Sequence, residues 1–210
     1  MTRTDSFPKK RKPLAAYLVA PLAVGALVLT GCAGNAPGPQ ANTTAPAADA
    51  AAFMSDHGLA GLDTRQVIDR LDALPVAQRP QNLMASVRPD QLMLADDRQR
   101  QAVLPLPEDQ FYLSFAPFRT QTHDCHFHSL TTCLGEMQNE EVKVTVTDAK
   151  SGETLVDKTM STFDNGFVGL WLPRGIEATL TVESRGKRAS TPISTSSSED
   201  ATCLTTLQLT

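Results

Sequence analysis

Positive charge and recognisable catalytic motifs are both scarce in this 210-residue chain. It has 19 lysine and arginine residues against 23 aspartate and glutamate residues, giving a formal net charge of −4 at pH 7. Because nucleic-acid binding needs a basic face, this balance argues against nucleic-acid partners. The sequence also has no glycine-rich phosphate loop, no Gly-x-Ser-x-Gly elbow and no recognisable pair of catalytic carboxylates. It therefore favours a protein that is not an enzyme.

The chain has no apolar run of the length that a membrane-spanning helix needs, which is roughly 20 residues. The longest run, Leu14–Leu29, has sixteen residues, contains Pro21 and follows the basic block Lys9–Lys12. This pattern is typical of a signal peptide, which we place at residues 1–31. The run ends in Leu-Thr-Gly before Cys32 and resembles the lipobox of bacterial lipoproteins. The resemblance predicts cleavage before Cys32 and lipidation of that residue. The alternatives are an ordinary signal peptide followed by a coincidental cysteine, or an uncleaved anchor.

Processing at Cys32 would export the protein and anchor it in a bacterial membrane, at the periplasmic or outer surface. Several acyl chains at one residue give stable anchoring. The removed segment holds five basic residues and one acidic residue, so the net charge falls from −4 to about −8. This acidic remainder suits a protein that handles cations.

The cysteines show no Cys-x-x-Cys pair, which argues against a thioredoxin-like redox motif. If Cys32 is lipidated, three cysteines remain: Cys125, Cys133 and Cys203. Exported proteins usually pair their cysteines, but three thiols cannot all pair within one chain. The third thiol is free, bridges to another chain or binds a metal.

Three of the four histidines and two of the four cysteines lie in one short stretch, which holds His123, Cys125, His126, His128 and Cys133. Thiolate and imidazole are ligands of Cu(I) and Zn(II), so the stretch predicts a metal site. In a regular strand, Cys125 would face away from the two histidines that follow it. The loop must therefore curl, or the ligands must be divided between ions.

The sequence predicts an α+β fold, with a small helical N-terminal domain followed by a β-rich C-terminal domain resembling an antiparallel sandwich. Residues 32–50 read as a flexible tether, 51–105 as the mainly helical domain and 106–210 as the metal-binding β domain. Asp63 is expected to cap one helix, and Pro80 to begin a second that contains Leu83, Met84 and Val87. The alternation of valine with polar residues over 142–147 predicts a half-buried strand. The strand that begins at Cys203 can pair beside the first strands of the β domain and return its thiol to the cluster.

Several segments closely resemble the CueP family of exported bacterial copper-binding proteins. The resemblance covers most of the chain from about Phe53 to Thr210. It rests on these segments: Phe111–Pro117, Thr122–Cys133, Thr162–Phe167, Leu170–Pro173 and Thr202–Leu207.

This resemblance implies a periplasmic copper-resistance protein that binds copper, preferentially Cu(I), through Cys125, Cys133 and Cys203. It also implies that His123, His126 and His128 are additional contacts, that the protein is a homodimer, and that an exported superoxide dismutase receives the copper. The lipobox and the tether depart from the family pattern, which changes a periplasmic location into a lipid-anchored one.

Two other functions remain open from the sequence. One is a thiol-based redox protein that reduces Cu(II) or peroxide. The other is a structural lipoprotein whose cysteines form disulfides or hold zinc, and zinc is also a substitute for copper at the same ligands. A structural zinc site normally has four ligands in paired spacings, which the eight-residue step from Cys125 to Cys133 does not match.

Overall fold

The computed structural model describes residues 47–210. The predicted signal peptide, the lipidation site Cys32 and the tether up to residue 46 lie outside the described residues. The last four residues predicted as tether belong to the first helix, α1 (Ala47–Asp56). The second helix, α2, runs from Thr64 to Asp72.

Helix α2 begins where the sequence predicts. The Asp63 carboxylate accepts the N–H of Gln66 at 2.8 Å, and the Gln66 side chain accepts the N–H of Asp63 at 3.0 Å. This reciprocal capping box satisfies two backbone donors at the start of the helix. The apolar residues Val67, Ile68 and Leu71 are buried, so one face of α2 lies against the core.

Ten strands follow a short 3-10 turn at Val76–Gln78. In chain order they are β1 (Leu83–Val87), β2 (Gln91–Asp96), β3 (Gln101–Pro105), β4 (Gln110–Phe115), β5 (Glu141–Asp148), β6 (Thr154–Ser161), β7 (Val168–Pro173), β8 (Glu177–Ser184), β9 (Lys187–Ser194) and β10 (Cys203–Leu204).

The strands form three sheets. The first has the order β1-β2-β3, the second β10-β4-β7 and the third β6-β5-β8-β9. All pairs are antiparallel except β10 with β4, which run parallel. In that parallel pair Cys203 lies opposite Ser114, so the terminal strand does pair beside the first strand of the predicted β domain.

The prediction of an α+β fold with a helical N-terminal domain is wrong, because most of the regular structure is strand and β1, β2 and β3 lie within the predicted helical domain. The segment after Pro80 forms β1, in which Leu83, Ala85 and Val87 are buried and Met84 is 67 % exposed. The apolar residues fit a period of two as well as a helical period. The segment forms a strand and not a helix because it pairs with β2 over the whole length of β1.

Two large hydrophobic clusters stabilise the described fold. One packs buried side chains of the third sheet against those of β4 and β7, including Phe111, Val144 and Leu180. The other packs the two helices against the first sheet, and includes Ile68 and Leu92. A third, small cluster holds Cys133 and Cys203 with two apolar neighbours, and it marks the predicted metal site. Among residues 47–210, no helix has the length and apolar character required to cross a membrane.

Candidate metal centre

The stretch that holds most of the cysteines and histidines is an irregular loop between β4 and β5. Neighbouring segments fix its backbone on two sides. The Leu130 N–H donates to the Ala85 carbonyl at 2.9 Å, which attaches the loop to the edge of β1. The Cys203 N–H donates to the His126 carbonyl at 3.1 Å, which attaches the loop to β10. The loop therefore curls between the first sheet and the terminal strand. A regular strand would instead direct Cys125 away from His126 and His128.

Three sulfur atoms meet where the loop contacts β10. Cys125 and Cys203 are joined as a disulfide across 78 residues of sequence, with Cα atoms 5.6 Å apart. The thiol of Cys133 is free and buried, and its Sγ atom lies 3.6 Å from that of Cys125. The Ser129 N–H donates to the Cys133 sulfur at 3.4 Å. The three described cysteines thus lie at one place in the fold.

Two of the three predicted histidines lie beside these sulfur atoms. His123, Cys125 and Cys133 form one group of three donors, and His128, Cys133 and Cys203 form another. Within each group the ligand atoms lie within 4.8 Å of one another. His123 is exposed, whereas His128 is fully buried.

His126 lies outside both groups of donors. Its side chain is exposed, and its Nε2 atom lies 3.0 Å from the Glu199 carbonyl oxygen. Its backbone carbonyl contacts the terminal strand, as described above. The structure therefore brings together five of the six predicted ligand residues. The side chain of the sixth, His126, points elsewhere.

The buried imidazole of His128 is held by a carboxylate that the sequence analysis did not single out. His128 Nε2 lies 2.9 Å from Asp72 Oδ1, and both side chains are fully buried. Asp72 also accepts hydrogen bonds from Tyr112 Oη at 2.5 Å, Ser114 Oγ at 3.3 Å and Asn165 Nδ2 at 2.9 Å. With Nε2 occupied in this way, His128 directs Nδ1 toward Cys203 Sγ at 3.7 Å. A carboxylate behind a histidine fixes ring orientation in many metal sites.

Burial and charge act in opposite directions on these groups. Burial raises the pKa of Asp72, but the charge and hydrogen bond of His128 outweigh it, so this pKa lies below its ordinary value. Burial lowers the pKa of His128, but the charge and hydrogen bond of Asp72, together with Cys133, outweigh burial and raise this pKa from 6.5 to about 9. Burial also raises the pKa of Cys133, but the hydrogen bond and charge of His128 lower it by more. Asp72 and His128 thus favour the charged form of each other, and His128 favours the thiolate form of Cys133.

A buried guanidinium lies behind the loop. Arg79 is 5 % exposed, and its Nη1 donates to the Cys133 carbonyl at 2.8 Å. Its Nε and Nη2 atoms have no hydrogen-bond partner. Burial lowers the pKa of Arg79, and the charges of Asp72, Cys133 and Asp164 oppose that change. The guanidinium adds a fixed positive charge to a site built from anionic ligands.

Asp72 and Arg79 were not predicted as parts of the site, and only Asp72 has a signal in the sequence. It lies four residues after Ile68, on the same buried face of α2. A carboxylate at an apolar helix position requires a buried partner. Arg79 directly follows the short turn Val76–Gln78, and its position gives no such signal.

Comparisons with known proteins agree with this architecture. Residues 66–208 match the sequence profile of a family described as periplasmic copper-binding protein CueP. A solved structure described as the crystal structure of S.CueP shares 46 % sequence identity and superposes with a TM-score of 0.71. The similarity covers 76 % of this chain and 96 % of that one. No curated protein sequence matches the chain. On the profile match and the structural similarity together, the chain belongs to the CueP family.

Proposed function

We propose that this protein binds Cu(I) outside the cytoplasm through two or three thiolates from the set Cys125, Cys133 and Cys203, with histidine as an additional ligand. The observation that carries the proposal is the meeting of three cysteine sulfur atoms, two from the loop and one from β10, beside two imidazoles. Sequestration or delivery of copper by such a site would support copper resistance. The family description, which names periplasmic copper binding, supports the same function.

The donor set fits Cu(I) better than it fits a hard cation. Cu(I) favours thiolate, and the two groups of donors contain only sulfur and imidazole nitrogen. The buried carboxylate of Asp72 is engaged by His128 and three other donors, so it supports a ligand instead of being one. Zinc accepts the same ligands and is expected to act as a substitute at high concentration.

The proposed location is a bacterial membrane surface, with Cys32 lipidated and the described fold on the extracytoplasmic side. Mass spectrometry of the protein recovered from membranes would test this part. A mass increase of a diacylglyceryl group and a fatty acid on a peptide that begins at Cys32 is expected. A chain that begins at another residue would contradict it.

A homodimer and a superoxide dismutase recipient remain proposals from the family resemblance. Sedimentation and copper transfer to the purified dismutase would test them separately.

Anaerobic Cu(I) titration against a competing chelator tests the central proposal. The full chain carrying Cys32→Ser is used in reduced form, so that only the three thiols of the site remain. It is compared with a variant in which Cys125, Cys133 and Cys203 are also serine. We expect tight binding of one Cu(I) that the added substitutions reduce by at least about a thousandfold. Equal binding by both proteins would contradict a thiolate site.

The disulfide between Cys125 and Cys203 favours one second candidate, the reduction of Cu(II). Two thiols would give two electrons to two Cu(II) ions, forming one disulfide and two Cu(I) ions with release of two protons. Counting the thiols lost and the Cu(I) formed after mixing the reduced protein with Cu(II) tests this. A ratio of one Cu(I) per thiol supports reduction, whereas retained Cu(II) with unchanged thiols contradicts it.

A further inference from the structure

The two groups of donors share one atom, the Sγ of Cys133, and differ in access to solvent. The outer group adds the exposed His123 and the half-buried Cys125. The inner group adds His128, fully buried, and Cys203, which is 1 % exposed. A copper ion bound by the outer group therefore lies nearer solvent than one bound by the inner group.

The inner imidazole, His128, is also held more firmly by its neighbours than the outer imidazole, His123. His128 is fixed by Asp72 and by a ring contact with Phe167, with centroids 4.7 Å apart. The centroid of His123 lies 6.2 Å from that of the same phenylalanine, which is fully buried. His123 has no polar partner among the described residues, so its ring is free to reorient.

We infer that the chain takes up Cu(I) in two positions, first on His123, Cys125 and Cys133, and then on His128, Cys133 and Cys203. This inference rests on the proposed copper-binding function and on the reduced form, in which all three thiols are available. Cys133 keeps its bond to copper during the move. Bonds to His123 and Cys125 break as bonds to Cys203 and His128 form.

The transfer involves no electron exchange, because copper is Cu(I) in both positions. The thiol protons leave to solvent as thiolates bind the metal. Since the ligand atoms of each group lie within 4.8 Å of one another and share Cys133, the move requires only a short displacement of the ion. The same path in reverse returns copper to the surface for a recipient.

Single histidine substitutions in the full chain carrying Cys32→Ser separate the two positions. Stopped-flow transfer of Cu(I) from a coloured chelator measures the loading rate, and the equilibrium with the same chelator measures affinity. We expect His123→Ala to slow loading about tenfold while affinity changes less than threefold. His128→Gln should keep the loading rate but lower affinity at least tenfold. Its amide preserves a donor for Asp72 but has no nitrogen ligand for copper.

His126→Ala is the comparison variant, because its ring contacts the Glu199 carbonyl and lies outside both groups. It should load and bind like the parent chain. X-ray absorption of the loaded parent and of His123→Ala should give the same sulfur and nitrogen shell, since neither final site includes His123. Thermal unfolding of each variant in the metal-free form checks that the fold is retained.

Three results would overturn the inference. They are normal loading by His123→Ala, an equal loss of affinity in His123→Ala and His128→Gln, and tight binding of two copper ions per chain. If instead the cysteine-free variant binds copper as tightly as its parent, the proposed function itself fails. The same titration therefore distinguishes the two failures.

Discussion

Asp72 holds its charge in the interior only because several donors surround it. Four side chains donate to it or ion-pair with it, and His128 is the one that reaches the sulfur atoms. In the proposed copper site the carboxylate would act indirectly, by fixing which nitrogen of His128 faces the sulfur atoms. Such supporting groups typically change metal affinity by about 10- to 100-fold.

Asp72→Asn tests this role. The amide keeps the shape of the side chain but loses the charge that fixes the imidazole, so we expect Cu(I) affinity to fall about tenfold or more. Chelator competition measures the change. Asp97→Asn, at an exposed aspartate in the turn between β2 and β3, is the matched control and should leave affinity unchanged. Equal affinities for the two variants would contradict the role of Asp72.

Arg79 is the second residue that we expect to affect the affinity for Cu(I). A site with several thiolates is anionic, and the buried guanidinium offsets part of that charge. We expect Arg79→Met to lower Cu(I) affinity about tenfold, and Arg79→Lys to recover part of it.

Arg79→Met also removes two buried nitrogen atoms that have no hydrogen-bond partner and are therefore costly to bury. We thus expect only a small fall in the stability of the metal-free protein. Urea unfolding beside the copper titration separates these effects. Arg70→Met, which removes an exposed arginine from α2, serves as control. A large loss of stability with unchanged affinity would assign Arg79 a structural role only.

At the scale of elements, the loop that carries the ligands is fixed near its ends by short contacts. Glu136 accepts the backbone N–H groups of Arg119, Thr120 and Gln121 at 2.8, 2.9 and 3.2 Å. These bonds, that of Thr120 above all, lower the pKa of Glu136 from 4.5 to about 2 despite partial burial, which raises it. The carboxylate thus joins the segment after β4 to the end of the loop.

The lowered pKa of Glu136 gives a pH-dependent contribution to stability. Its stabilisation is complete above pH 4.5 and is lost as pH falls from there through about 2. Glu136→Gln should lower the free energy of unfolding by about 1 kcal/mol at pH 7, since the site is partly exposed.

The difference between Glu136→Gln and the parent chain should disappear near pH 2. Urea titrations at several pH values measure it. Glu108→Gln, at an exposed glutamate in the turn before β4, should show no such difference. A difference that is constant with pH would contradict the assignment.

The strands of the second half could be predicted because their residues carry a local signal. Val142, Val144 and Val146 alternate with polar residues, and all three are buried in β5. The segment of β1 has a pattern that fits both a helix and a strand, and only its partners decide. Hydrogen bonds to β2 and to the ligand loop are tertiary, so the sequence of β1 alone does not contain them.

The candidate site also has some features that the sequence predicts and others that depend on tertiary contacts. The dense sulfur and imidazole residues mark the loop in the sequence, and the position of Cys203 in a strand beside β4 follows from sheet topology. Which imidazole faces the sulfurs does not follow, since His126 and His128 are alike in the sequence and differ only in their contacts. Asp72 and Arg79 lie in a helix and after a turn, more than forty residues before His123, the first of the predicted ligands.

At the scale of the whole molecule, the disulfide links the ligand loop to the terminal strand and takes one thiol from each group of donors. In this state only Cys133 has a free thiol among the described cysteines. We expect the oxidised chain carrying Cys32→Ser to bind Cu(I) at least about a hundredfold more weakly than the reduced chain.

Chelator competition before and after treatment with a reductant, with thiols counted in both samples, measures the effect of the disulfide. The double variant Cys125→Ser, Cys203→Ser keeps only one cysteine of the site and cannot form a disulfide within the chain, so it is the control, and its affinity should not respond to mild oxidation. Equal binding by oxidised and reduced parent chains would contradict the prediction.

The order of the three cysteines along the chain has a consequence for how the protein matures. Export proceeds from the N-terminus, so Cys125 and Cys133 reach the oxidising compartment before Cys203, which follows Cys125 by 78 residues. The first two thiols are close in sequence and meet easily in the unfolded chain. A bond formed early between them differs from the disulfide of the structure, and thiol–disulfide exchange must open it before Cys125 can pair with Cys203. The disulfide that the chain holds is thus set by a competition between the arrival of the last strand and earlier oxidation of the first two thiols.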